Sequence, residues 1–167
     1  MWWTISIAVL LIGIAYQDFQ QRAVSIVFFL LLAILLLGLK LTQSYWEDSY
    51  PDILANILFL AFQMGGILIY FRIKEGRWGQ IMDRKLGWGD IAFLLCILLY
   101  MPFVNFFLFH IVSLITALLI AMVNKNWRNP HKGIPLAGCQ ALLFLGYFIA
   151  ERMNWIDWTV IGRSLMS

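Results

Sequence analysis

Charge is what this chain has least of: 13% of its 167 residues are Asp, Glu, Lys or Arg, against 62% hydrophobic ones. With a mean hydropathy of +0.82, that scarcity excludes an ordinary soluble domain, in which about a quarter of residues are charged. The net charge of +3 comes with no basic groove carrying base-reading residues, which excludes nucleic acid as the partner. Cysteine is nearly absent too. Cys96 and Cys139 lie in separate apolar runs with no Cys-x-x-Cys spacing, so neither a zinc site nor a disulfide framework is supported, and both read as packing residues. Gly-x-Ser-x-Gly, His-Glu-x-x-His and a plausible Cys/His pair are all missing, which removes the serine, zinc and thiol hydrolase arrangements. Met1-Trp2-Trp3 supplies no basic leader and Gly13-Ile14-Ala15-Tyr16-Gln17-Asp18 is a poor cleavage site; the first apolar run is expected to be a retained helix, not a signal peptide.

What the chain has instead is apolar length. Hydropathy divides it into segments at about 2–16, 24–41, 53–71, 88–103, 105–123 and 134–150, and a bilayer is crossed by roughly 20 apolar residues. The expected fold is all-α: a polytopic bundle of about six transmembrane helices in a single domain, 1–167. The fourth and fifth segments share one apolar stretch broken by Met101-Pro102-Phe103-Val104-Asn105, read as a tight hairpin in which Pro102 interrupts helical bonding and Asn105 serves the turn. The tail, 155–166, mixes aromatic and apolar residues with Asp157 and Arg163, which suits an interfacial helix better than a seventh span.

Basic residues set the expected orientation. Arg22 follows the first segment; Arg72, Lys74, Arg77, Arg84 and Lys85 follow the third; Lys125, Arg128 and Lys132 follow the fifth. These three connections share one side, and Glu47, Asp48 and Asp52 fall on the other, with Lys40, Arg152 and Arg163 near its boundaries. The positive-inside rule then places the N-terminus outside and both Asp18 and Asp90 at the cytoplasmic face. Trp2, Trp3, Trp155 and Trp158 fit the outer aromatic belt, and Trp78, Trp88 and Trp127 the inner one.

Asp18 ends one apolar stretch, and Asp90, in Gly87-Trp88-Gly89-Asp90, opens another. Acids at a membrane boundary are functional candidates because dragging one into lipid costs several kcal/mol, about 3 on insertion scales. Two carboxylates from different helices, where water enters, are the minimum for aspartic proteolysis: one draws a proton from water while its protonated partner polarises the scissile carbonyl. Gly87 and Gly89 beside Asp90 would let a substrate backbone approach closely and give the chain unusual conformations. Weighed singly, the features are weak. A Gly-x-Gly-Asp string also describes a capped helix start, and Asp18 alone also fits a surface pair with Arg22 at i+4. Asp83, beside Arg84 and Lys85, reads as solvated surface. His110, among Phe106, Phe107 and Phe109, reads as a hydrogen-bonded interior histidine, His131 as a loop residue, and Gly65, Gly66 and Gly138 as close-packing positions.

In combination these residues resemble the type IV prepilin peptidases and archaeal preflagellin peptidases, intramembrane aspartic proteases that carry a Gly-x-Gly-Asp motif. Gly87-Trp88-Gly89-Asp90 matches the second catalytic motif, with Ala92 where bacterial members usually carry lysine. Asp18-Phe19, six residues before Val24, is similar to the first catalytic aspartate and its downstream Ile-Pro pair, with Ser25 in place of the proline. Ile134-Pro135-Leu136-Ala137-Gly138 is similar to the Ile-Pro-Phe-x-Pro segment that opens the last helix, without its phenylalanine and second proline.

The resemblance implies Asp18 and Asp90 as catalytic residues, with Gly87, Gly89, Ile134 and Pro135 at the substrate backbone. It implies removal of short basic leaders from pilin-like precursors at the cytoplasmic face of a prokaryotic cytoplasmic membrane. With the first helix starting at residue 2, no methyltransferase segment, metal or methyl-donor cofactor is expected. Two other classes stay open: a non-proteolytic relative that binds pilin-like helices, and a small transporter relaying protons through Asp18 and Asp90. A transporter would ordinarily show internal repeats or helices broken at midplane in corresponding halves, and the sequence shows neither.

Overall fold

The computed structural model describes residues 2–42, 50–75, 88–123 and 135–153. The described residues form six α-helices: α1 (Trp2–Gln21), α2 (Ile26–Leu41), α3 (Tyr50–Glu75), α4 (Trp88–Ile97), α5 (Phe103–Val123) and α6 (Leu136–Arg152). Each expected apolar segment contributes one helix. Three of the helices, α1, α3 over Tyr50–Lys74 and α5 over Phe103–Ile120, are long and apolar enough to cross a membrane. At 1.5 Å per residue, α3 is about 39 Å long, whereas α2 and α4 reach about 24 and 15 Å. The interfacial helix expected over 155–166 lies outside the described residues, as do Glu47, Asp48, Arg77, Asp83, Arg84, Lys85, Lys125, Arg128, His131 and Lys132.

Helix faces follow the apolar spacing. On α1 the buried positions are Ile7, Leu11, Ile14, Ala15 and Asp18, a single stripe at three- and four-residue intervals. Phe29, Leu32, Leu36 and Leu39 form the matching stripe on α2. Outward-facing positions are equally apolar: Val9, Ile34, Phe62, Ile73 and Leu118 are all exposed. Lipid makes both faces compatible, so helix association rests on packing and hydrogen bonds, with little hydrophobic drive. Phe144 on α6 supplies much of that packing, meeting Phe93, Tyr100 and Phe109 edge-on with ring centroids 6.0–6.2 Å apart.

Successive helices run up and down, giving the bundle two chemically distinct ends. At one end Trp3 lies against Gly38 and Lys40 Nζ donates to the Tyr100 carbonyl at 3.1 Å. At the other lie Asp18, Ser25, Asp90 and the first turn of α6.

The break between α4 and α5 falls earlier than expected. Helix α4 ends at Ile97 and α5 begins at Phe103; Asn105 is buried inside α5, where its Nδ2 donates to Tyr147 Oη at 3.3 Å. Backbone groups freed at such a break must be partnered within the protein. Asn56, fully buried on α3, donates from one Nδ2 to the carbonyls of both Leu98 and Met101 at 3.0 Å. Asp52, expected in a loop, sits in the first turn of α3 and its Oδ1 accepts the Phe103 amide at 3.1 Å. The Tyr100 hydroxyl donates to Glu151 Oε2 at 2.7 Å. Charges that the hydropathy profile reads as boundary markers thus hold the α4–α5 connection in place.

Replacing Asn56 with leucine keeps the volume and removes two bonds to the carbonyls of the α4–α5 connection, along with an Oδ1 that has no partner. The Asn56→Leu protein is expected to lose about 2 kcal/mol of stability, measured by denaturant titration in detergent micelles. A loss no larger than that of a substitution at lipid-facing Leu58 would show that the break does not depend on Asn56.

Candidate active site

Three helices deliver the candidate residues to one place. Helix α1 continues beyond its expected end, so Asp18 stands within its last turns and is buried. Arg22 closes the helix in the left-handed conformation, φ 56°, its amide donating to the Asp18 carbonyl at 3.0 Å. A non-glycine residue holds that conformation at a cost of about 1 kcal/mol. The geometry keeps the Arg22 guanidinium near enough to act on Asp18 electrostatically. The chain then turns back through residues 23–25, and the Ser25 amide donates to Gln17 Oε1 at 3.0 Å. Proline at that position would have no N–H to give.

Helix α6 starts after Pro135, which has no amide hydrogen; its first intrahelical bond in this turn runs from the Cys139 amide to the Pro135 carbonyl at 3.2 Å. The amides before Cys139 need acceptors from elsewhere. Gly138 N–H donates to Asp18 Oδ2 at 2.6 Å, and the neighbouring Ala137 N–H lies near enough to the Asp90 carboxylate to favour its charged form. Two successive amides of one helix start therefore face the two acids, aided by the positive end of the helix dipole. The carboxylates are close enough to influence each other electrostatically, and both act on Cys139.

Gly138 makes this convergence possible. A Cβ there would meet Asp18 Oδ2 at 3.1 Å and the Ala15 carbonyl at 3.3 Å, both tighter than ordinary contact. Gly89 behaves otherwise than the motif leads one to expect. It is helical, and a Cβ would meet the Ala137 Cβ at 3.7 Å and the Phe29 ring at 3.8 Å, so neither sterics nor unusual dihedrals demand glycine. Gly65 and Gly66 face open space with nothing within 4 Å, and the close packing expected of them is not made. Gly87 and Ile134 lie outside the described residues; Pro135 lies beside the two anchoring amides.

A groove of about 410 Å³ opens beside Asp90 between α3, α4, α5 and α6. Its wall is mostly leucine, isoleucine and methionine, with Gln63, His110 and Gln140 as the polar members. His110 is the hydrogen-bonded interior histidine that its surroundings imply: its Nε2 lies 2.8 Å from Gln63 Nε2, and its ring meets Phe59 edge-on. Gln140 is fully buried and went unnoticed in the sequence, because an amide in an apolar run gives no motif. Both cysteines are buried, with Cys96 Sγ donating to the Phe29 carbonyl at 3.2 Å. Comparison with protein-family models, with curated proteins and with solved structures finds no match.

The contrast between glycines gives a test. Gly138→Ala is expected to cost about 1–3 kcal/mol, because the new methyl group must push α1 from α6. Gly65→Ala and Gly66→Ala are expected to be neutral or to gain up to about 1 kcal/mol from helix propensity. Thermal unfolding in detergent measures all three; equal behaviour at the three positions would contradict the contact at Gly138.

Proposed function

We propose that this protein is an intramembrane aspartic endopeptidase in which Asp18 and Asp90 work as a pair. One observation carries the reading: two acids from sequence-distant helices are brought to adjacent amides of a third helix, beside an apolar groove. Two such carboxylates share one proton. The ionised member takes a proton from a water molecule as the water oxygen bonds to the scissile carbonyl carbon. The protonated member gives its proton to the carbonyl oxygen, forming a neutral gem-diol. Collapse of that intermediate breaks the C–N bond: the nitrogen takes the proton of the protonated member, the ionised member takes one from a gem-diol hydroxyl, and a carboxylic acid and an amine leave with the pair again holding one proton. The backbone donors keep both acids oriented while the proton changes hands.

The resemblance to the prepilin and preflagellin peptidases supplies the substrate class: a precursor with a short basic leader followed by an apolar helix. The same reading has six spans, the N-terminus outside and the acids facing the cytoplasm of a prokaryotic cell. The up-and-down order of the helices supports it, since that order puts both acids at the end from which the basic 72–89 connection departs. Impermeant thiol reagents applied to Arg77→Cys, with Cys96 and Cys139 replaced by alanine, are expected to label only from the cytoplasmic side. Labelling from outside would reverse the orientation.

The mechanism is tested by following precursor shortening in liposomes. Asp18→Asn and Asp90→Asn are each expected to abolish cleavage while insertion proceeds normally, because asparagine keeps the shape but cannot be the ionised base, and members of one catalytic unit fail together. Asp83→Asn is expected to cleave normally, and EDTA to have little effect. Near-normal cleavage by both single variants would refute the aspartic pair, and strong EDTA inhibition would point to a metal site in its place.

A further inference from the structure

Gln140 is fully buried, yet neither Oε1 nor Nε2 has a hydrogen-bond partner. An unpartnered buried amide is costly, about 1–3 kcal/mol for each group, and complete burial removes bulk water as the remedy. The side chain forms part of the groove wall together with Leu136, one turn earlier on α6, and Asp90 on α4. The other walls are mostly apolar, with Ile57 and Met64 from α3 and Leu94 from α4; their polar members, Gln63 and His110, bond to each other and leave Gln63 Oε1 and His110 Nδ1 also unpartnered. Lipid chains and apolar side chains fit the apolar part of these walls but offer nothing to Gln140 or to the unpartnered Gln63 Oε1 and His110 Nδ1. A peptide group offers both an N–H and a C=O, the complement of a carboxamide.

Resting on the protease reading, we propose that Gln140 receives a peptide group of the substrate's apolar segment, in unwound form, just beyond the bond being cut. A helical segment keeps its N–H and C=O groups in its own ladder, so only an unwound stretch presents them. Spacing fixes the position. Gln140 lies three residues, about 4.5 Å along the helix axis, beyond Ala137, whose amide faces Asp90. Extended chain advances about 3.3 Å per residue, so the matching peptide group lies one to two residues to the membrane side of the scissile carbonyl. Groove-wall side chains turn aside as the segment enters, and the amide left unpartnered in the free protein gains its partners from the substrate. Gln140 is then a positioning residue that favours the unwound over the helical form.

The test uses the full chain in liposomes and a precursor in which a backbone ester replaces the amide one or two residues to the membrane side of the cleavage point, removing one N–H. In the wild-type protein one of the two esters is expected to lower kcat/KM about tenfold, the loss of one hydrogen bond. Gln140→Leu is expected to cleave the all-amide precursor about tenfold less well, mainly through KM, and to lose nothing further with the ester. Its melting temperature is expected to equal or exceed that of wild type, since leucine removes an unpartnered buried amide. Penalties that multiply, or cleavage by Gln140→Leu at the wild-type rate, would overturn the inference. A lowered melting temperature accompanying the lost activity would also overturn it, marking Gln140 as a packing residue bridged by buried water. Binding of the same amide and ester precursors to the Asp18→Asn/Asp90→Asn protein, with and without Gln140→Leu, repeats the comparison without catalysis. Failure of the acid pair and failure of Gln140 are thereby read separately.

Discussion

The first turn of α6 is the point on which this structure depends. A helix start packed against other helices leaves amides that water reaches poorly, and the acids packed beside it need donors. Each requirement answers the other: Gly138 N–H meets Asp18 Oδ2 at 2.6 Å, and Ala137 N–H meets the Asp90 carboxylate. Because the donors are backbone atoms one residue apart, their spacing is fixed by helix geometry and carries over to the acids. The bond from Gly138 also requires α1 to lie close against α6, which only a residue without a Cβ permits.

The same demand for partnered backbone groups shapes the opposite end. There the chain breaks between α4 and α5, and Asn56, Lys40 and Asp52 supply the missing donors and acceptor. Charged and polar residues at both ends therefore partner backbone groups that leave the helical ladder, as buried irregular backbone requires. The ends differ in what remains. At the Lys40 end the donors of Lys40, Asn56 and Asn105 and the Asp52 carboxylate are engaged, chiefly with main-chain groups, while Asn56 Oδ1 and Asn105 Oδ1 are buried without a partner. At the Asp18 end two acids meet beside a groove that holds an amide with no partner.

Much of this was legible in the sequence because it lies in periodicity and in rare residue types. The six apolar segments became six helices, and Asp18 and Asp90 stood out as acids in a chain poor in charge. Boundaries were less clear: hydropathy ends the first segment at residue 16, but α1 continues to Gln21 because Tyr16, Gln17 and Asp18 are as compatible with helix as the residues before them. Pro102 drew the break toward itself, although proline is well suited to the position just before a helix, and the chain turns over residues 98–102 ahead of it. Asn56, Gln63 and Gln140 were invisible as functional groups, since single amides in apolar runs have no spacing rule. The role of Gly138 was only half visible: close packing could be read from it, whereas the amide it offers to Asp18 belongs to the backbone and leaves no mark on the residue type.

The central claim, that two acids remote in sequence meet on one helix start, is tested most directly by joining them. In a chain with Cys96 and Cys139 replaced by alanine, Asp18→Cys and Asp90→Cys together are expected to cross-link readily in membranes with a short thiol-reactive reagent. Asp52→Cys paired with Asp90→Cys, which joins opposite ends of the bundle, is expected to give none. Absence of the first cross-link, or equal yield from both pairs, would contradict the account.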